Sequence, residues 1–346
     1  MKQLVNLPTG ILLLILILVV LFPFVSPSPY LTHIIILILI FSSITTAWSY
    51  MGRFGMVRLT PRAYVGIAGY TVALLFNFYH LSPWVGMLVG LLLVAIIAGV
   101  FGYACFRFGV TGHYFAITTL VMTELVALLI IAFRGITGGR LGLSINSIGT
   151  APLHEQLLYL QFENKVGFYY LALALLLFAL YIWRKIDQSK AQKALTAIGD
   201  DEVAASCVGI PIVRYKTAVT IISAVIAGMG GVVYAQYMMY LNPTTTAAIM
   251  ASLGFVFKAI LGGIFTLWGP MIGTILITSL EEYVRVSFGG TYIGWSMVIY
   301  GIVIVTLIIF LPKGLYGTLI EIVRKKRMIT KEERWKLDKL EYFAST

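Results

Sequence analysis

Apolar residues run through this chain in long unbroken stretches, separated by short polar or glycine- and proline-bearing intervals. The stretches are continuous rather than alternating, so they predict helices and not barrel strands. Ten of them approach the length that crosses a bilayer: about 9–25, 31–51, 63–79, 81–106, 113–133, 166–183, 215–240, 247–263, 267–284 and 292–311. The first follows one lysine and lacks a small-x-small cleavage pattern, so it reads as a retained span. The expected fold class is an all-α integral membrane protein of about ten transmembrane helices.

Composition agrees. Hydrophobic residues make up 60% of the 346 and charged residues only 11%, against about 25% charged in soluble domains. The net charge of +11 is explained by where the basic residues fall. With the N-terminus inside, twelve lie on the cytoplasmic side: Lys2, Arg53, Arg58, Arg62, Arg107, Arg184, Lys185, Lys190, Lys193, Arg214, Lys216 and Lys313. Eight more follow in the tail, giving 20 of 25; four (Arg134, Arg140, Lys165, Arg285) lie outside, and Lys258 lies within a span. This is the positive-inside pattern, with both termini cytoplasmic. The basic charge therefore needs no nucleic acid as partner. The chain divides into a transmembrane domain, 1–311, and a basic cytoplasmic tail, 312–346. The tail's Arg324-Lys-Lys-Arg327 suits anionic lipid headgroups. Cys105 and Cys207 fall on the reducing side. His33, His80, His113 and His154 have no metal-ligand spacing, so no metal site is expected.

One hydrophilic interruption, 184–216, stands between spans six and seven. Positions 191–198 favour helix, with Leu195 and Ile198 on one face and Gly199 suited to end the turn. Asp200 or Asp201 can cap a second short helix, Glu202–Val208, whose Ala204 and Ala205 are small; Gly209 and Pro211 stop it. Small side chains let a partner approach the backbone closely.

This segment, Ala197-Ile-Gly-Asp-Asp-Glu-Val-Ala-Ala205 followed by Gly209-Ile and Tyr215-Lys216, resembles the coupling segment of permease subunits of branched-chain amino acid ABC importers. Other stretches are similar to that family in order and spacing. They are Gly66-Ile-Ala-Gly-Tyr70, Tyr114-Phe-Ala-Ile-Thr-Thr-Leu120 with Glu124, and Thr137-Gly-Gly139 with Gly142-Leu143. Leu261-Gly-Gly263 with Thr266-Leu-Trp-Gly-Pro270, and Pro312-Lys-Gly-Leu315, complete the set. The resemblance implies a transport subunit that is not an enzyme and binds no cofactor. ATP and Mg would sit on two separate ABC ATPase subunits, and no Gly-x4-Gly-Lys-Ser/Thr loop occurs in this chain. Further implied partners are a second, homologous permease subunit, an extracytoplasmic solute-binding protein and membrane lipid. The implied location is the bacterial or archaeal plasma membrane. The coupling residues would be Leu195, Ile198, Gly199, Asp200, Asp201, Glu202, Ala204, Ala205 and Gly209.

Within the spans, Glu124 and Lys258 are ionisable and therefore candidates for the translocation path, a structural ion pair being the alternative. Tyr114, Thr118, Thr119, Gly262 and Gly263 join them as path candidates. Gly228-Met-Gly-Gly231 reads as close helix packing, and Gly262-Gly263 with Gly269-Pro270 as a break or tight hairpin. The external loop 135–165 is long enough to gate the path or meet a binding protein. The chain departs from the family where Arg58-Leu-Thr-Pro-Arg-Ala63 stands in place of a Ser-Leu-Gly-His-Ala-like stretch, at Arg140, and at Ser252-Leu-Gly254. Family members carry branched-chain amino acids, urea or small aromatic acids, and these departures leave the solute open. A stand-alone secondary transporter and a polytopic membrane enzyme are the rival classes.

Overall fold

The computed structural model describes residues 21–23, 28–149, 152–288, 298, 301, 302, 305, 306, 314, 315 and 318. Among the described residues, thirteen α-helices lie between 29 and 288: α1 Pro29–Gly52, α2 Pro61–Tyr79, α3 Pro83–Arg107, α4 Gly112–Ala132, α5 Arg134–Thr137, α6 Leu153–Tyr159, α7 Lys165–Gln188, α8 Lys190–Asp200, α9 Glu202–Cys207, α10 Ile212–Met238, α11 Pro243–Thr246, α12 Ile249–Gly262 and α13 Gly269–Phe288. Among the described residues, six helical stretches are long and apolar enough to cross a membrane: α1, α3, α4, α7, α10 and Pro243–Gly262. This is an all-α, multi-pass membrane protein. Long helices stand at expected spans two to nine. The first and last expected spans, 9–25 and 292–311, and the tail 312–346 lie largely outside the described residues.

Proline opens α1, α2 and α3, where its missing N–H costs nothing. The chain forms two compact units, Met1–Phe255 and Val256–Thr346, with the boundary inside α12. In the first unit α1 and α10 are the most enclosed helices, whereas α3 exposes Leu88, Leu92, Ile96 and Val100 along one side. The glycines of α10 explain its place. Gly228 lies against Leu91, Ala68 and Val94, Gly230 against Ile44, and Gly231 against the backbone of Val65. The helix runs unbroken through all three, so this cluster serves close packing.

On the side where α2 and α10 end, the motif stretches converge. β1 (Leu143–Ser144) pairs antiparallel with β2 (Tyr240–Leu241), matching Leu143 to Leu241. The Tyr70 hydroxyl donates to the Leu241 carbonyl at 3.2 Å, and the Tyr240 hydroxyl to the Leu141 carbonyl at 2.6 Å. Gly142, at φ +82°, sits against the Leu241 carbonyl, where a Cβ would collide. The long loop is thus pinned to α2 and β2 rather than free.

The second unit contains the expected hairpin. α12 ends at Gly262, α13 begins at Gly269, and a Cβ on either Gly262 or Gly269 would strike the opposing backbone. Gly314, at φ +74°, packs on Gly263, so this one glycine of the closing motif meets the glycine run in space.

Candidate functional site

The polar segment folds as two short helices, α8 and α9, and their hinge is Asp201, not Gly199. Asp201 is extended (φ −156°, ψ 113°), and its Oδ1 accepts from the N–H groups of Val203 (2.8 Å) and Ala204 (3.0 Å). Gly199 remains helical. A Cβ there would lie 2.9 Å from the Phe54 carbonyl oxygen, so glycine is needed for close approach rather than for a cap. Glu202 opens α9. The helix closes as the Ile210 N–H returns to the Ala205 carbonyl (3.1 Å), with Gly209 at φ +80°.

Burial divides the coupling candidates other than the half-buried Glu202 into two sets. Leu195, Ile198 and Ala205 are buried inside this chain and hold α8–α9 in place; they are not open to a partner. Gly199, Asp200, Asp201, Ala204 and Gly209 are exposed, together with Val203 (73%) and Val208 (77%). The outward surface is therefore small, apolar and edged by carboxylates.

Three fastenings anchor these helices. The Glu202 carboxylate accepts a hydrogen bond from Lys216 at the base of α10, and the Lys216 side chain is only 3% exposed. That ammonium also lies 5.4 Å from the centre of the Phe106 ring. Gly199 touches Phe54. Next to Phe54, Arg53 pairs with Asp187 of α7 at 3.2 Å and stacks over Trp183 at 4.1 Å. Burial lowers the Arg53 pKa, and the neighbouring Asp187 and Tyr50 oppose that.

Arg58 and Arg62 lie at the junction of α1 and α2, and neither is a solvated surface charge. Arg58 is 1% exposed; it donates to the Ser223 hydroxyl (2.8 Å) and the Thr220 carbonyl (3.5 Å) of α10 and lies over Tyr64 (5.0 Å). Its carbonyl accepts the Trp48 indole N–H at 2.5 Å. Arg62 is 8% exposed, its guanidinium enclosed by Phe255 (4.6 Å), Phe41 (5.4 Å) and Tyr234 (5.5 Å). Phe41 stands halfway along α1, so this cation is held deep among the helices. Removing both from the sequence count leaves 20 − 2 = 18 basic residues on one side against four on the other, so the charge asymmetry survives.

On α4, Tyr114 (77% exposed) begins an outward stripe that continues through Ile117, Val121 and Leu125 and includes the exposed Glu124. Thr118 lies half-exposed beside it. Thr119 points the other way and is buried with Thr123 against the backbone of Leu59. It therefore belongs to the packing of the helices, not to the outward stripe. In the second unit Lys258 is buried and pairs with Glu281 at 2.7 Å. Gly262 and Gly263 serve the hairpin. Sequence reasoning did not single out Lys216 or Thr123, which the structure ties to Glu202 and to the Leu59 carbonyl. The first was legible only as a cytoplasmic-side basic residue and as part of the Tyr215-Lys216 pair.

A bundle of membrane-length helices carrying a fastened pair of short polar-segment helices defines a multi-pass α-helical membrane protein. The chain belongs to the branched-chain amino acid transport system permease component family, which matches residues 26–310. It is 27% identical over 283 residues to the high-affinity branched-chain amino acid transport system permease protein LivM of Escherichia coli (strain K12), covering 77% of this chain. It is 26% identical over the same length to LivM of Salmonella typhimurium. The match spans 64% of the length of each of these relatives. An L-arabinose ABC transporter permease protein, AraH of Azospirillum brasilense, is 27% identical over 96 residues, 26% of this chain and 28% of its own. No solved structure matches.

Proposed function

We propose that this chain is the membrane-spanning subunit of an ATP-driven importer, and that it carries branched-chain or other hydrophobic amino acids into the cytoplasm. It spans the inner membrane ten times with both termini cytoplasmic, and 1–311 forms the permease domain. It pairs with a second, homologous permease. Two ATPase subunits hold the ATP and Mg, and a solute-binding protein delivers cargo from outside.

The observation that carries this reading is the α8–α9 projection. Its inward residues fix it to α10, α7 and the segment after α1, and its outward residues are small and apolar. Such a projection suits a cleft in a motor subunit. The stripe on α4 supports a path between two permeases. A carboxylate facing hydrocarbon costs roughly 2.5–3.5 kcal/mol on insertion scales, so Glu124 belongs against protein or water. Tyr114 and Thr118 border the same path.

Val203→Trp and Val208→Trp test the projection, since both positions are exposed. Each variant folds and enters the membrane, but transport is lost while the ATPases still hydrolyse ATP. Normal uptake in both would defeat the coupling role. Urea and small aromatic acids are the alternative cargoes. A binding panel with the partner solute-binding protein separates them from amino acids.

A further inference from the structure

The segment between α1 and α2, residues 53–60, is short and irregular and alternates inward and outward: Phe54, Met56, Arg58 and Thr60 are buried, while Gly55 and Val57 are exposed. It touches the coupling projection at one end. Phe54 presents its carbonyl to the face of Gly199 on α8, and Arg53 is tied to Asp187, just before α8 begins. At the other end it reaches the middle of α4. The Leu59 N–H donates to Thr119 Oγ1 at 3.0 Å, and the Leu59 carbonyl accepts from Thr123 Oγ1 at 2.8 Å. Thr119 and Thr123 are the eighth and twelfth of the 21 residues of α4. The opposite face of that helix carries Tyr114 and Val121, and Glu124 is exposed beside them.

We propose that residues 53–60 form a strut that carries movement of the coupling projection to α4, with Thr119 and Thr123 as positioning residues that make α4 follow. This rests on the importer reading above. The physical reason lies in where the two hydrogen bonds sit. Leu59 is not helical, so its N–H and C=O have no partners of their own, and at the middle of a membrane helix there is no bulk water to replace the threonine hydroxyls. Separating α4 from Leu59 would leave both groups unsatisfied, so the low-energy response to a shift of the strut is for α4 to move with it. Arg58 keeps the strut straight by fixing it to Thr220 and Ser223 of α10. At its far end the Arg62 N–H donates to Ser252 Oγ at 3.1 Å.

Two measurements on the full complex in proteoliposomes test this. The first compares solute imported per ATP hydrolysed for Thr119→Val/Thr123→Val and for Thr119→Ser/Thr123→Ser. The valine pair keeps the shape but loses both hydroxyls, and import per ATP falls about tenfold; the serine pair restores it. Import per ATP at the wild-type level in the valine pair overturns the proposal. The second measurement needs neither threonine variant nor transport. Spin labels at Val57→Cys and Val121→Cys, both exposed, are placed after Cys105 and Cys207 are changed to serine. Their separation stays constant when ATP binds, while a label pair at Ser206→Cys and Leu153→Cys changes. A 57–121 separation that changes with ATP overturns the strut, whichever solute the complex carries. Wild-type complex that imports no solute on ATP counts against the importer reading instead.

Discussion

Replacing Glu202 with Gln removes the partner of a nearly fully buried ammonium, and the consequence can be estimated from exposure. The Lys216 side chain is 3% exposed and that of Glu202 38%. Breaking a fully buried pair costs about 3–5 kcal/mol, whereas a surface pair contributes about 0–1 kcal/mol. With one member buried and the other partly hydrated, Glu202→Gln should cost about 2 kcal/mol. The Phe106 ring still faces the ammonium and offsets some of the loss. Lys216→Met removes the buried cation and leaves a carboxylate that water reaches, so it should cost less, about 1 kcal/mol. The double variant should be close to Lys216→Met alone, because no uncompensated cation remains. The pair therefore couples by about 1–2 kcal/mol. Unfolding of the purified protein in mixed micelles by added denaturing detergent reads this cycle. Additive costs, within about 0.3–0.5 kcal/mol, would mean that Glu202 and Lys216 do not act as a pair and that α9 is not fixed to α10 through them.

Gly231→Ala should destabilise the protein by at least about 1–3 kcal/mol, because its Cβ would meet the Val65 backbone, which cannot rotate away; Gly135→Ala, with nothing within 4 Å, should be nearly neutral in the same unfolding assay. Asp201→Ala should cost about 1 kcal/mol and Asp201→Asn much less, since asparagine keeps the acceptor for the Val203 and Ala204 N–H groups. Proteolytic nicking between α8 and α9 reports the difference. Lys258→Met should destabilise the second unit by about 1–3 kcal/mol by orphaning Glu281, while the import rate of the assembled protein stays unchanged. A specific loss of import with stability intact would return Lys258 to the path.

Most spans were legible because an unbroken apolar stretch of bilayer length has few other fates; helices stand at positions two to nine with ends shifted by only a few residues. The capping of α9 was legible as well, because Asp201 precedes a helix-forming stretch and an N-cap is local chemistry. Gly199 was misread because glycine has two uses. It can close a helix or admit a close neighbour, and the neighbour, Phe54, is remote in sequence. The enclosure of Arg58 and Arg62 was not legible for a similar reason. A basic residue between two spans looks like surface charge, and only the fold reveals Ser223 and Thr220 around the first and three aromatic rings around the second. On α4 almost every position is apolar, so periodicity could not separate inward Thr119 from outward Thr118. The partners of the threonines settle their direction, and those partners are backbone atoms of an irregular segment.

The most direct test of the account is uptake of labelled leucine by proteoliposomes holding this chain, its permease partner and the two ATPases, with the binding protein outside and ATP inside. Uptake should require ATP and both ATPases and should persist when ionophores collapse all ion gradients. Uptake that proceeds without the ATPases, or that stops when the gradients collapse, would contradict an ATP-driven importer and point to a gradient-driven carrier.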